Sequence, residues 1–169
     1  MAKVLVTGMS GTGKSAALGR LAGRGHRVVD TDTDAWSRWT TGADGKSDWV
    51  WREEAVARLL EEHRAGHLFV AGCKTNQGPF YPLFDHVVLL AAPAAVILAR
   101  IAARTDNPYG KRPEERALVL RDLAEVEPLL RAGATAEIDA SAPLAQVVRR
   151  LEEIADGAPA ARSGAPAGP

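Results

Sequence analysis

Short apolar runs alternate with longer amphipathic stretches along the chain as far as about residue 155. Lys3-Val4-Leu5-Val6-Thr7 is apolar and ends on a glycine-rich segment, as a strand buried on both faces does. From Ser15 to Arg24, Leu18, Leu21 and Ala22 recur at helical spacing, and Gly25 supplies a stop. Arg27-Val28-Val29-Asp30 predicts a second strand. Trp49 to His63 predicts a helix, with Val56, Leu59 and Leu60 on one face. Leu68–Ala71 and His86–Leu90 are two further strands, and a helix from Ala94 to Arg104 follows the second. Thr105 to Pro113 is polar, with two prolines and a glycine, and reads as a loop. A helix over Glu114–Arg131, a short strand at Glu137–Asp139 and an amphipathic helix over Ala142–Ala155 complete the pattern.

Strands that alternate with helices imply βαβ crossovers. The expected fold is therefore α/β, a five-stranded parallel sheet between two helical layers, with ligands beyond the carboxyl ends of the strands. Residues 1–156 form one domain on this reading. Residues 157–169, built of Ala, Pro, Gly, Ser and one Arg, form a disordered tail.

Composition narrows the classes. Lys plus Arg and Asp plus Glu number 21 each, so no net charge draws the chain to nucleic acid or to an anionic membrane. Cys73 is the one cysteine, which excludes an internal disulfide and a thiolate zinc cluster. No apolar run reaches the roughly 18 residues of a membrane span, and no secretory signal pattern opens the chain. A cytoplasmic protein is expected.

The chemistry concentrates after the strands. Gly8-Met9-Ser10-Gly11-Thr12-Gly13-Lys14-Ser15 matches the phosphate-loop (Walker A) pattern at every fixed position, between a strand and a helix as that motif requires. Glycines let backbone N–H groups turn around phosphate oxygens, and the following helix points its positive end at the anion. Lys14 supplies a movable charge for the β- and γ-phosphates, and the Ser15 hydroxyl can coordinate Mg²⁺. After the second strand, Asp30, Asp32 and Asp34 alternate along five residues. One carboxylate there can hold Mg²⁺ and a second can orient an attacking hydroxyl, while Asp34 equally suits a helix cap.

The four tryptophans lie at 36, 39, 49 and 51. They either stack a flat ligand or anchor a helical flap, and Trp36 and Trp39, nearest the carboxylates, are the better pocket candidates. Gly72-Cys73-Lys74-Thr75-Asn76-Gln77 follows the third strand. Gly72 allows close approach there, Lys74 and Gln77 can hold an acceptor, and Cys73 reads as a small buried hydrophobe. Arg100 and Arg104 share one helix face before the Pro/Gly loop, which adds Lys111 and Arg112. Cations so placed can close over a triphosphate. The four histidines show no metal-ligand spacing.

From about Lys3 to Ala155 these features resemble the shikimate kinase and nucleoside monophosphate (adenylate) kinase branch of phosphate-loop proteins. Val28-Val29-Asp30-Thr31-Asp32 is similar to the second-strand ending of shikimate kinases. The resemblance implies that Asp30 belongs to the Mg²⁺ site and that Asp32 holds the substrate hydroxyl. Trp51-Arg52-Glu53-Glu54 resembles the segment whose arginine binds a substrate carboxylate, and Pro128-Leu129-Leu130-Arg131 resembles a second such site. Glu137 to Pro143 looks like the loop beside the adenine, which puts Ser141 there. The resemblance further implies a short substrate-binding helical segment and a small lid.

Three departures stand out. The triple glycine of shikimate kinases is replaced by Gly72-Cys73-Lys74, nearer the Gly-x-x-Arg region of adenylate kinases. The lid TDNPYGKRP lacks the usual arginine-proline-leucine-leucine stretch. Four tryptophans suit a flatter or larger substrate than shikimate. Gluconate kinases have a similar glycine-rich loop.

The expectation is a Mg²⁺- and ATP-dependent kinase acting on a small molecule or a nucleotide. Lys14, Asp32 and Arg104 are its catalytic residues. Gly8, Ser10, Gly11, Thr12, Gly13, Lys14, Ser15, Arg100, Arg104 and Ser141 hold the nucleotide, and Ser15 and Asp30 hold the metal. Asp32, Trp36, Arg52, Gly72, Lys74, Gln77 and Arg131 face the acceptor. The alternatives are a regulatory ATPase or switch without an acceptor and, with less support, a polynucleotide kinase.

Overall fold

The computed structural model describes residues 1–161. Strands β1 (Lys3–Thr7), β2 (Arg27–Asp30), β5 (Leu68–Ala71), β6 (His86–Ala91) and β7 (Ala136–Asp139) form one sheet in the order β2-β5-β1-β6-β7. All four pairings are parallel. Helices α1 (Lys14–Gly23), α2 (Glu53–Glu62), α3 (Ala94–Ala103), α4 (Pro113–Glu125), α5 (Glu127–Gly133) and α6 (Leu144–Asp156) cover it.

The period of two along each strand sorts the core into layers. Val4, Val6, Phe69, Ala71, Val88 and Leu90 point to one face and pack on α1 and α6 through Leu18, Leu21, Val147 and Leu151. Leu5, Leu68, Val70 and Val87 point to the other face and pack on Val56, Leu59 and Leu60 of α2. Every core strand residue named here is 0–2% exposed. Continuous apolar strands are the pattern of a sheet covered on both faces, and the three-layer α/β/α fold expected from the sequence is the one observed.

Two elements differ from the sequence reading. The helix expected from Trp49 begins only at Glu53. Ser47–Trp51 is instead strand β4, antiparallel to β3 (Ser37–Thr41) in a two-stranded hairpin. Its sequence SDWVW ends in Trp-Val-Trp, a run of strong strand formers. Gly45, at φ 74°, and the Gly42 N–H to Lys46 O bond of 2.9 Å close the turn. The helix expected over Glu114–Arg131 breaks at Val126, because Pro128 has no N–H to continue the ladder. The tail expectation falls largely on residues 162–169, outside the described residues. Ala160, inside them, donates its N–H to Asp85 O at 3.1 Å.

Candidate active site

The chain leaves the carboxyl end of the central strand β1 into the loop Gly8–Gly13 and enters α1. Gly8, Gly11 and Gly13 have φ of 148°, 84° and 92°. A Cβ on Gly8 would lie 2.5 Å from Leu90 O, so only glycine fits where the loop crosses β6. Gly13 caps α1 without a side-chain acceptor, and the first bonded amide of the helix is Ala17's, to Gly13 O at 3.0 Å. The N–H groups of Lys14, Ser15 and Ala16 therefore remain available at a positive helix end. Thr12 is buried, and its hydroxyl donates to Met9 O at 2.8 Å. It braces the loop from behind and does not line the cavity.

A cavity of about 490 Å³ opens over this loop. Its lining includes Ser10, Gly11, Gly13, Lys14 and Ser15 on one side and Asp30, Asp32, Gly72 and Lys74 on the other, with Arg100 and Arg104 at the edge. Residues singled out separately along the sequence thus lie around one cavity. Lys14 Nζ donates to Gly8 O and Met9 O at 2.5 and 3.0 Å. Desolvation by burial holds its pKa below the ordinary lysine value, partly offset by the charges of Cys73, Asp30 and Asp32.

The two carboxylates at the end of β2 take distinct places. Asp30 Oδ2 accepts from Ser15 Oγ at 2.8 Å, and Asp30 Oδ1 accepts the Asp32 N–H at 3.0 Å. Ser15 and Asp30 are thus hard oxygen donors side by side at the foot of the phosphate loop. That donor set fits Mg²⁺, which takes one or two carboxylates plus phosphate oxygens. Among the described residues no group of three or more His, Cys, Asp or Glu makes a cage of its own, so the ion would share its coordination with a nucleotide.

Asp32 faces the opposite wall. Its Oδ1 accepts from Lys74 Nζ at 2.7 Å and from Trp49 Nε1 at 2.8 Å. Burial alone would raise its pKa, but the bonds and charge of Lys74 and the bond from Trp49 outweigh it and hold the carboxyl below its ordinary range. Oδ2 accepts no hydrogen bond among the described residues. The Lys74 ammonium also lies 5.7 Å from the Trp49 ring centre. Around this pair the hairpin is tied to the segment after β5. Asn76 exchanges hydrogen bonds with the Trp51 N–H and C=O at 3.0 and 3.1 Å, and Thr75 Oγ1 donates to Asp48 Oδ2 at 2.5 Å.

The cationic edge comes from α3 and the loop after it. Arg104 donates to Ser10 Oγ at 3.3 Å and to the carbonyls of Asn107 and Tyr109 at 3.2 and 2.7 Å. It so links the phosphate loop to the segment expected to form a lid. Lys111 Nζ donates to Arg104 O. Arg100 donates to Ala140 O at 2.5 Å, beside Ser141, whose N–H and hydroxyl both bond Asp139 Oδ1.

Other expected residues lie elsewhere. Trp36 packs on the α2-side core and does not line the cavity. Arg52 donates to Asp34 O at 2.8 Å and borders a separate recess with Arg38 and Arg58. Gln77 is 2% exposed, and its amide is committed to Lys74 N–H, Thr7 Oγ1 and Tyr81 OH. Arg131 pairs with Glu137 at 2.7 Å and Glu127 at 3.0 Å, outside the cavity. These four are set by packing, pairing or a second recess, which the local motif around each does not disclose. Gly72 lines the cavity but is needed for packing as well, since a Cβ there would meet Thr31 Oγ1 at 2.5 Å. The sequence reading missed Trp49, Asp106 and Asn107. The mistaken helix concealed Trp49, whereas Asp106 and Asn107 sit in the polar loop already singled out.

A family model described as an AAA domain matches residues 4–121. The chain belongs to this family. Its fold is that of solved phosphate-loop kinases. Shikimate kinase from Acinetobacter baumannii, solved with shikimate, is 20% identical with a TM-score of 0.61, over 91% of this chain and 92% of that one. Shikimate kinase from Bacteroides thetaiotaomicron is 18% identical with a TM-score of 0.64, over 90% and 97%. A gluconokinase from Sinorhizobium meliloti is 20% identical with a TM-score of 0.57, over 92% and 94%. No curated protein matches the sequence significantly.

Proposed function

We propose that this AAA-family chain is a kinase that transfers the γ-phosphoryl group of ATP to a hydroxyl of a small molecule or nucleotide. One observation carries the reading. Asp32 stands across the cavity from the phosphate loop, with one oxygen fixed by Lys74 and Trp49 and the other unbonded. A nucleotide switch has no need of such a carboxylate, whereas an acceptor hydroxyl does. The solved relatives named for shikimate and gluconate kinases support the same class of reaction.

In this mechanism the amides of Gly13 to Ala16 and Lys14 bind the β- and γ-phosphates. Ser15 and Asp30 would hold Mg²⁺, which would supply positive charge against the phosphate oxygens. The acceptor hydroxyl donates to Asp32 Oδ2 and attacks the γ-phosphorus. The bond from that phosphorus to the bridging oxygen breaks, and ADP leaves with the electron pair. Asp32 takes the acceptor's proton late, since a carboxylate of lowered pKa is a weak base and phosphoryl transfer runs through a loose transition state. Arg104 neutralises the migrating group and excludes water as the loop around Asn107 closes. We assign the cytoplasm as its compartment. Among the described residues, no helix is long and apolar enough to cross a membrane.

The test is ADP release from Mg·ATP with and without hydroxylated acceptors. Stimulation by one acceptor class, lost on the order of a hundredfold or more in Lys14→Ala, is expected. Slow hydrolysis indifferent to every acceptor would favour a regulatory ATPase instead.

A further inference from the structure

The hairpin carries a row of three indoles on one face. Trp51, innermost, is fully buried and donates to Thr31 Oγ1 at 2.8 Å. Trp49, two residues outward, donates to Asp32 Oδ1. Trp39, directly across the ladder from Trp49, lies with its ring centre 5.2 Å from that of Trp49 at an interplanar angle of 47°. Trp39 is 69% exposed, the largest apolar side chain left in solvent among the described residues. Two of the three rings are explained by the hydrogen bonds their N–H groups make. The third packs one side on Trp49 as its cross-strand partner and leaves the rest of its surface in solvent without a hydrogen bond among the described residues.

The row leads outward from the reacting carboxylate. The hairpin is also held in place by Asn76 and Thr75, and the Lys74 ammonium lies over the Trp49 ring, so the indoles form a wall anchored at its inner end. Trp49 adjoins Asp32 through its hydrogen bond and Trp39 adjoins Trp49, so the two indoles extend from the carboxylate toward solvent beyond the residues that line the cavity, where a molecule offering a hydroxyl to Asp32 Oδ2 can reach them. Indole faces bind ring faces well and flexible polar chains poorly, because they gain from burying flat apolar area and cannot satisfy hydrogen bonds.

Resting on the kinase reading above, we propose that Trp39 and Trp49 are the acceptor platform and that the acceptor is a hydroxylated ring. A sugar, a cyclitol and a nucleoside share this chemistry. The ring face lies on the indoles, and a hydroxyl at its edge reaches Asp32. Of the two indoles the sequence favoured, the core absorbs Trp36 and Trp39 remains exposed.

The experiment pairs steady-state ADP release with calorimetric binding, using nucleosides, methyl pyranosides and inositols against the open-chain gluconate and glycerate. Ring acceptors are expected to be turned over, and which of the three ring classes is preferred identifies the source. Trp39→Ala should raise KM about tenfold while kcat changes less than about threefold. Trp39→Tyr should restore most of the loss, and an unchanged melting temperature excludes a folding defect. Turnover of open-chain acceptors that Trp39→Ala does not alter overturns the platform and leaves the kinase reading intact. Ring compounds that bind through Trp39 without receiving phosphate overturn the kinase reading and leave the platform. Absence of ring binding, or ring affinity unchanged in Trp39→Ala, overturns the platform.

Discussion

Asp32 and Lys14 carry opposite electrostatic settings, and each makes a prediction. Asp32 is held ionised below its ordinary pKa by Lys74 and Trp49 in spite of partial burial. A depressed carboxylate pKa gives stability and function present above the ordinary value and lost as pH falls through the folded value. Lys74→Met removes the main opposing cation, so the acid limb of the acceptor-turnover profile should move to higher pH. An unmoved limb would mean that Lys74 does not set Asp32. Asp32→Asn should lower transfer on the order of a hundredfold while calorimetry finds ATP bound about as before. Lys14 is the converse case. Its pKa is lowered by desolvation, so it loses charge earlier than a free lysine as pH rises. ATP affinity measured against pH should break below the ordinary value of 10.5. Lys14, Ser15, Asp30 and Asp32 could be singled out from the sequence because each follows a strand at motif spacing, and the structure sets them on one cavity. The partnership of Lys74 with Asp32 joins residues 42 positions apart, and only the β2–β5 pairing brings them together.

At the scale of elements, the sheet was readable because its strands are continuous apolar runs and its register follows from them. The hairpin was not readable, because its charged and aromatic residues mimic the first turn of the helix that follows. Its placement depends on Asn76, which bridges Trp51 to the segment after β5. Asn76→Ala should cost about 1–2 kcal/mol in urea unfolding and should weaken acceptor turnover more than ATP binding. Equal losses in both would mean that the hairpin does not belong to the acceptor side. Gly72 links the same elements from below. Gly72→Ala places a methyl against Thr31 and Trp51, with an expected loss of about 1–3 kcal/mol. A neutral result in the same urea experiment would contradict this packing.

For the whole molecule, one end of the parallel sheet gathers a glycine-rich loop, a hydroxyl–carboxylate pair, an oriented second carboxylate and an arginine that ties the loop to the Asn107–Tyr109 segment. Each is ordinary alone, and their convergence on one cavity is what supports the proposed transfer over simple nucleotide binding. The most direct measurement follows the γ-phosphoryl group itself in a single turnover with terminally labelled ATP, Mg²⁺ and the ring and open-chain acceptors together. Label covalently attached to an acceptor is expected, in wild type but not in Lys14→Ala. Label found only as inorganic phosphate, at the same rate with and without acceptors, would contradict it.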